Sequence, residues 1–273
     1  MIIDELENKK LIQPPEWMSN SIQFLVKMGS HSYGIANSNS DIDMYGFAIP
    51  PIGELLPHTK GEICGFGRQN SRFEQYQQNH VDYEKDVYDI NIYNIAKFIH
   101  LCMENNPNMI DALFVPTDCI LFTNTIGDTI RYRRREFLHK GAYFKFLGYA
   151  RSQLSKIRNK NPEGKRKAIV DKYGYDVKYA SHLYRLADEC EQILTTRDLN
   201  LRRSQDKMLE IREGKVELWE IEKWFSSKEE YLKQCYEKSK IPEYPNEIEI
   251  KKLMIKCIEM YHGNLSKFGF PSI

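Results

Sequence analysis

The chain has 273 residues, 41% of them hydrophobic and 28% charged, and its 39 Lys and Arg against 38 Asp and Glu leave a formal net charge of +1. This is the make-up of an ordinary globular protein with a proper core, in one large or two modest domains, and it excludes disordered, fibrous and membrane classes. The near-neutral balance also excludes a uniformly basic protein of the kind that coats nucleic acid.

At the amino terminus, MIIDELENKK places acids where a secretory signal would have a basic start and an apolar run. No stretch is long and apolar enough to cross a bilayer, so a cytoplasmic location and no membrane partner are expected. From Ser21 to about Pro116, short apolar runs alternate with Gly, Pro and Asn clusters. Phe24 to Met28, Met44 to Ile49 and Val87 to Ile90 read as strands. A helix follows from about Tyr93 to Met103, with Ile95, Phe98, Ile99 and Cys102 on one stripe, and Asn105-Asn106-Pro107 stops it. The first half is thus α/β or α+β.

The connection from Val115-Pro116 to Thr129 marks the expected boundary, giving domains at 1–125 and 126–273. Beyond it the pattern is helical: Phe144 to Ile157, Asp176 to Leu194, Met208 to Arg212, Val216 to Phe225 and Ile248 to Tyr261 carry apolar residues at threes and fours. Ser226-Ser-Lys-Glu229 reads as a capping box opening a further helix. The six cysteines, Cys64, Cys102, Cys119, Cys190, Cys235 and Cys257, show no metal or redox spacing and are expected to be free and mostly buried.

Charge is unevenly spread. Arg131 to Lys178 holds fifteen Lys or Arg against four acids, Glu136, Glu163, Asp171 and Asp176, so the remainder of the chain is acidic. The segment is either a solvated set of helix faces or a phosphate-facing surface.

The chemistry concentrates in Gly29-Ser-His-Ser-Tyr-Gly34 and Ser40-Asp-Ile-Asp43. Gly29-Ser30 follows a strand where a short helix is expected to begin, a place where glycine lets phosphate approach the backbone and serine adds a small donor. On a strand, Asp41 and Asp43 share one face while Ile42 and Met44 enter the core. Paired carboxylates repel unless a cation lies between them, and hard ions such as Mg²⁺ take oxygen ligands while keeping positions for water and phosphate. A third carboxylate is needed to complete such a cluster and accept a proton; Asp82, Glu84, Asp86 and Asp89 are available. Asp89 lies in the most strand-like context, its alternative being a cap for the helix near Tyr93.

Gly29-Ser30, a spacer and Asp41-Ile-Asp43 resemble the signature of the DNA polymerase beta superfamily of nucleotidyltransferases. The fuller Gly-Ser-x-Ser-Tyr-Gly with Ser-Asp-x-Asp resembles its RNA-repair-linked, RlaP-type branch of bacteria and phages. Asp89 with Tyr93-x-x-Ala-Lys97-Phe98, then Asn106-Pro107 and an acid before Leu113-Phe114, is similar to that branch's middle block. Tyr175-Asp176-x-Lys178-x-x-x-His182-x-x-Arg185-Leu186 and Ile211-Arg212-x-Gly214 are similar to its C-terminal blocks. His31 and Asp111 depart from the residues common in that branch.

The resemblance implies a polymerase-beta-like mixed sheet joined to a C-terminal all-helical domain. It further implies transfer of a nucleoside monophosphate from an NTP, ATP being the expected donor, with release of pyrophosphate. Asp41, Asp43 and Asp89 are the expected ligands of two Mg²⁺ ions, replaceable by Mn²⁺, and Asp89 assists deprotonation. Gly29, Ser30, Tyr33 and Ser40 are expected at the nucleotide. Lys178, His182 and Arg185 share one helix face, which points to a row of phosphate contacts, although a helix histidine is often only structural. The expected acceptor is an RNA or tRNA end held through the basic segment 131–178. A protein or small-molecule acceptor and a non-catalytic nucleotide-binding module are the alternatives.

Overall fold

The computed structural model describes residues 1–38, 40–56, 73–159 and 161–264. The first half contributes a mixed five-stranded sheet: β1 (Ile22–Lys27), β2 (Ile42–Ala48), β3 (Gln75–Tyr83), β4 (Asp86–Asn94) and β5 (Ile120–Thr123), in spatial order β3-β4-β2-β1-β5. Only β2 and β4 run parallel, and the other pairs are antiparallel.

Helices α1 (Ile2–Asn8), α2 (Met18–Ser21) and α3 (Ile52–Leu55) are short, and α4 (Ile95–Met103), α5 (Pro107–Phe114) and α6 (Thr125–Tyr132) flank the sheet. The rest is helical: periodicity anticipates α7 (Ala142–Asn159), α9 (Val177–Thr196), α10 (Gln205–Arg212), α11 (Leu218–Lys238) and α12 (Glu247–His262), whereas α8 (Gly164–Tyr173) carries no such pattern. The α/β class read from the sequence is the class observed.

Burial follows the pleat. One face of the sheet, with Leu25, Met44, Ile90 and Ile92, packs on Ile3 and Leu6 of α1. The other, with Phe24, Val26 and Phe47, joins a cluster that continues through α4, α5 and α9 to Leu253 and Ile258 of α12. The segments on either side of residue 125 thus share a core. Burying this much apolar surface is the main favourable term in folding.

Several expectations are revised or completed. Ser226 and Ser227 open no helix; they lie inside the continuous α11, their hydroxyls donating back to the carbonyls of Glu222 and Lys223. The capping box sits earlier, at Glu217 and Glu220. Gly29 to Gly34 is a run of turns, not a short helix. Strands β3 and β5 went unread because β3 is a largely polar edge and β5 is only four residues long. Asn94, not Asp89, caps α4, its side chain accepting from the N–H of Ala96.

Five cysteines are free and buried, and Cys64 lies outside the described residues. No described helix is long and apolar enough to cross a membrane.

Gly46 lies where β2 crosses β1, and a Cβ there would stand 2.2 Å from the Phe24 carbonyl oxygen. Because that neighbour is backbone in a central strand, Gly46→Ala is expected to cost about 1–3 kcal/mol by overpacking. Urea denaturation reads the loss, and an unchanged midpoint would show that the strands can part without strain.

Candidate active site

A cleft of about 770 Å³ opens between the sheet and the helical half, within the size range of small-molecule sites. Its floor is built by the ends of β1 and β2. The chain leaves β1 through Met28, whose N–H donates to the Asp43 carbonyl at 2.7 Å, and turns at Gly29 with φ +61. A Cβ at Gly29 would stand 2.0 Å from Asp43 Oδ2. Glycine is required here because the Asp43 carboxylate lies against the backbone, a closer reason than the phosphate approach expected from the motif.

Parallel pairing places Asp43 directly opposite Asp89. Of the four acids considered as the third carboxylate, Asp82 pairs with Val87, Asp86 with Tyr83, and Glu84 sits in the hairpin turn at φ +55. Asp89 is further oriented from the edge strand. A register shift between Gln78 and Val81 accompanies a left-handed His80, whose freed N–H donates to Asp89 Oδ1 at 2.7 Å. The result is crowding: burial first, then the charges of Asp89 and Asp41, raise Asp43 from 3.8 to about 6. Asp41 itself is exposed, just before β2, at the cleft.

The opposite wall is cationic. One face of α9 carries Lys178, His182 and Arg185 into the cleft, joined by Arg166 from α8 and Arg212 from α10. Burial and the neighbouring Arg212 and Arg166 lower Lys178, while Asp41 and Asp176 raise it, so the two walls sense each other. Arg212 is lowered by burial and by Arg166. Arg166 donates to both oxygens of Asp176, at 2.8 Å each. Arg166 and Arg212 were not singled out as site residues; Arg212 stood in a quoted motif, whereas nothing but membership of the basic run marked Arg166.

The row on α9 is not uniformly charged. Burial, then Arg185 and Arg212, push His182 down to about 3, so it is neutral and offers a single N–H. Arg185 is committed to the core: Nη1 donates to buried Asp111 and, at 3.1 Å, to both oxygens of Glu189. Its guanidinium lies 4.3 Å from the ring centroid of Tyr33, whose hydroxyl donates to Asp111 Oδ2 at 2.7 Å. Tyr33 and Arg185 thus weld the Gly29–Gly34 turn to α5 and α9. Any phosphate contact by Arg185 competes with two carboxylates.

Ser30 and Ser40 line the cleft. Ser40 Oγ accepts from the Asn37 N–H at 2.9 Å, closing the turn before Asp41. Burial, then the charge of Lys27, lower His31.

The family model described as RlaP, the RNA repair pathway DNA polymerase beta family, matches residues 3–251. The chain belongs to that family. A protein of Enterobacteria phage T4, described as an uncharacterized 38.9 kDa protein in the nrdC-mobD intergenic region, is 25% identical over 130 residues, 47% of this chain and 36% of that protein. The match therefore spans little more than a third of the phage protein's length. A solved nucleotidyltransferase-like protein from Exiguobacterium sibiricum 255-15 superposes with a TM-score of 0.31 at 7% identity, covering 95% of this chain and 76% of that one.

Among the described residues, no three His, Cys, Asp or Glu side chains already converge into a metal cage. The donor set nevertheless fits a hard divalent ion whose remaining ligands are water and phosphate oxygens: burial, then Asp89 and Asp41, make Asp43 costlier to ionise, and a cation removes that cost.

Two outcomes follow. Because Asp43 is raised in the fold, its contribution to stability is present below about pH 4 and is lost as pH rises through about 6. Asp43→Asn should therefore gain stability relative to wild type between pH 4 and pH 7, on the order of 1–3 kcal/mol; paired urea titrations at the two pH values check it, and a pH-independent difference would refute it. Arg185→Met leaves Asp111 and Glu189 buried without their cation and should cost about 3–5 kcal/mol in the same assay.

Proposed function

We propose that this protein transfers a nucleoside monophosphate from an NTP to a hydroxyl acceptor at the end of an RNA, in a metal-dependent reaction. The observation that carries the reading is the pair of facing walls, carboxylates in one and cations in the other: burial, with Asp89 and Asp41, raises Asp43 to about 6, and burial, with Arg212 and Arg166, lowers Lys178. A divalent cation with a triphosphate relieves both at once, one sign for each wall.

Asp41, Asp43 and Asp89 would hold two Mg²⁺ ions, or Mn²⁺ in their place. Ions so bound neutralise phosphate charge and favour in-line displacement at phosphorus. Asp89, held by the His80 N–H, takes the proton of the acceptor hydroxyl. The acceptor oxygen then bonds to the α-phosphorus as the bond to the bridging oxygen breaks, and pyrophosphate leaves. Lys178, Arg212 and Arg166 hold the outer phosphates, and Ser30 donates from the turn. His182 is suited to donating one hydrogen bond, not to supplying charge.

ATP is the proposed donor. The RNA acceptor is supported by the family's description and not by the basic segment taken as a surface. Of its fifteen cations, Arg133, Arg135, Lys140, Lys145, Arg151, Arg158 and Arg166 form ion pairs, most of them with acids outside the segment. Much of the excess is thereby neutralised within the molecule.

Incubating wild type and the Asp41→Asn, Asp43→Asn double variant with each labelled NTP, Mg²⁺ or Mn²⁺ and total RNA tests the proposal. The expected result is labelled RNA with ATP and wild type, reduced at least a hundredfold in the variant, roughly the 3 kcal/mol that removing a key charged group costs. Label on protein or on a small molecule would change the acceptor. Nucleotide binding without any labelled product would overturn the enzyme reading in favour of a binding module. RNA affinity should fall as salt rises, and salt-independent or absent binding would count against the RNA acceptor.

A further inference from the structure

The charged walls occupy only part of the cleft; the remainder is apolar, and its arrangement along α8 has a direction. Arg166, Ile169 and Tyr173 all line the cleft and recur at helical spacing, so they share one face of α8. Seven residues at 1.5 Å each separate Arg166 from Tyr173 by about 10 Å along the helix axis. A single helix face therefore runs from a cation to an aromatic ring. Leu209 and Arg212 repeat the pairing of an apolar and a cationic residue on α10.

The ring of Tyr173 is held in a specific way. Gly214, just after α10, adopts φ +72, and a Cβ there would stand 2.2 Å from Tyr173 Cδ1 and 2.7 Å from Cε1. The edge of the ring lies in the space that glycine leaves, so any other residue at 214 would displace it. Lys172 Nζ lies 4.6 Å from the ring centroid, a contact that favours an electron-rich ring. Tyr173 is half-buried, and no hydrogen bond of its hydroxyl explains its position among the described residues.

We infer that Tyr173, set by Gly214 and flanked by Ile169 and Leu209, is the platform on which the nucleobase of the donor nucleotide stacks. The inference rests on the donor reading above. It assigns Gly214 a role: to keep the Tyr173 ring in place in the wall of the cleft. Stacking accepts any base, and the larger purine face gains more from it. Selection of ATP over pyrimidine triphosphates would then begin at this ring.

Equilibrium binding of ATP and of inorganic tripolyphosphate, with Ca²⁺ in place of Mg²⁺ to suppress turnover, separates the base from the phosphates. Tyr173→Ala should weaken ATP roughly 10- to 100-fold and leave tripolyphosphate unchanged, while Tyr173→Phe should bind ATP like wild type. Gly214→Ala should reproduce the Tyr173→Ala pattern, with intact tripolyphosphate binding reporting a folded cleft. ATP affinity unchanged in Tyr173→Ala, or both ligands weakened alike, would overturn the inference. Wild type binding tripolyphosphate as tightly as ATP would remove the base subsite and leave the phosphate wall standing. Wild type binding neither ligand would remove the donor reading as well.

Discussion

The parallel pairing of β2 with β4 sets the electrostatics of the whole molecule. It places Asp43 beside Asp89, with Asp41 one turn of the pleat away, and packs the Asp43 carboxylate against the backbone of Gly29. A buried carboxylate that neighbours two others is costly unless a counter-charge is available. None of the surrounding strands supplies one. What faces it across the cleft is a second group of like charges, Lys178, Arg166 and Arg212, where burial, then the charges of Arg212 and Arg166, lower Lys178. Both groups line the same cleft and are partly buried, and no ion pair joins Asp43 to Lys178 or Arg212 among the described residues.

Holding such walls at a fixed separation demands rigidity where the halves meet. The buried network of Tyr33, Asp111, Arg185 and Glu189 supplies part of it, linking the turn after β1 to α5 and α9. Gln205 at the start of α10 adds a second link, donating to the Gly34 carbonyl at 2.8 Å. Arg202 adds a third through Asp118. With two carboxylates around one guanidinium, the first network is an expensive way to join segments compared with an apolar contact, and such groups serve specificity better than stability. Here they fix which face of α9 looks into the cleft.

Much of the site was legible from local pattern. Gly29-Ser30 after an apolar strand, and Asp41-Ile-Asp43 alternating with Ile42 and Met44, define the floor by pleat alone. Spacings of four and three put Lys178, His182 and Arg185 on a single helix face. What spacing does not carry is the environment each side chain meets. His182 and Arg185 share that face, yet burial among cations leaves one neutral, and two buried acids draw the other into the core. The basic run from Arg131 to Lys178 is a similar case, since several of its ion-pair partners, such as Asp198, Glu222, Glu229 and Glu243, lie far along the chain.

The sequence by itself determined the α/β first half, the helical second half and a set of candidate site residues, because side-chain alternation and helical periodicity are local properties of the chain. It left Asp82, Glu84, Asp86 and Asp89 as alternatives, gave no reason for Gly214, and did not mark β3 as a strand. Tertiary structure decided those points. Strand register chose which acid stands opposite Asp43, and a bulge in an otherwise polar edge strand aimed the His80 N–H at it. The approach of α8 to the turn after α10 explained why residue 214 has no side chain. Each depends on contacts between residues distant in the chain, which no local pattern encodes.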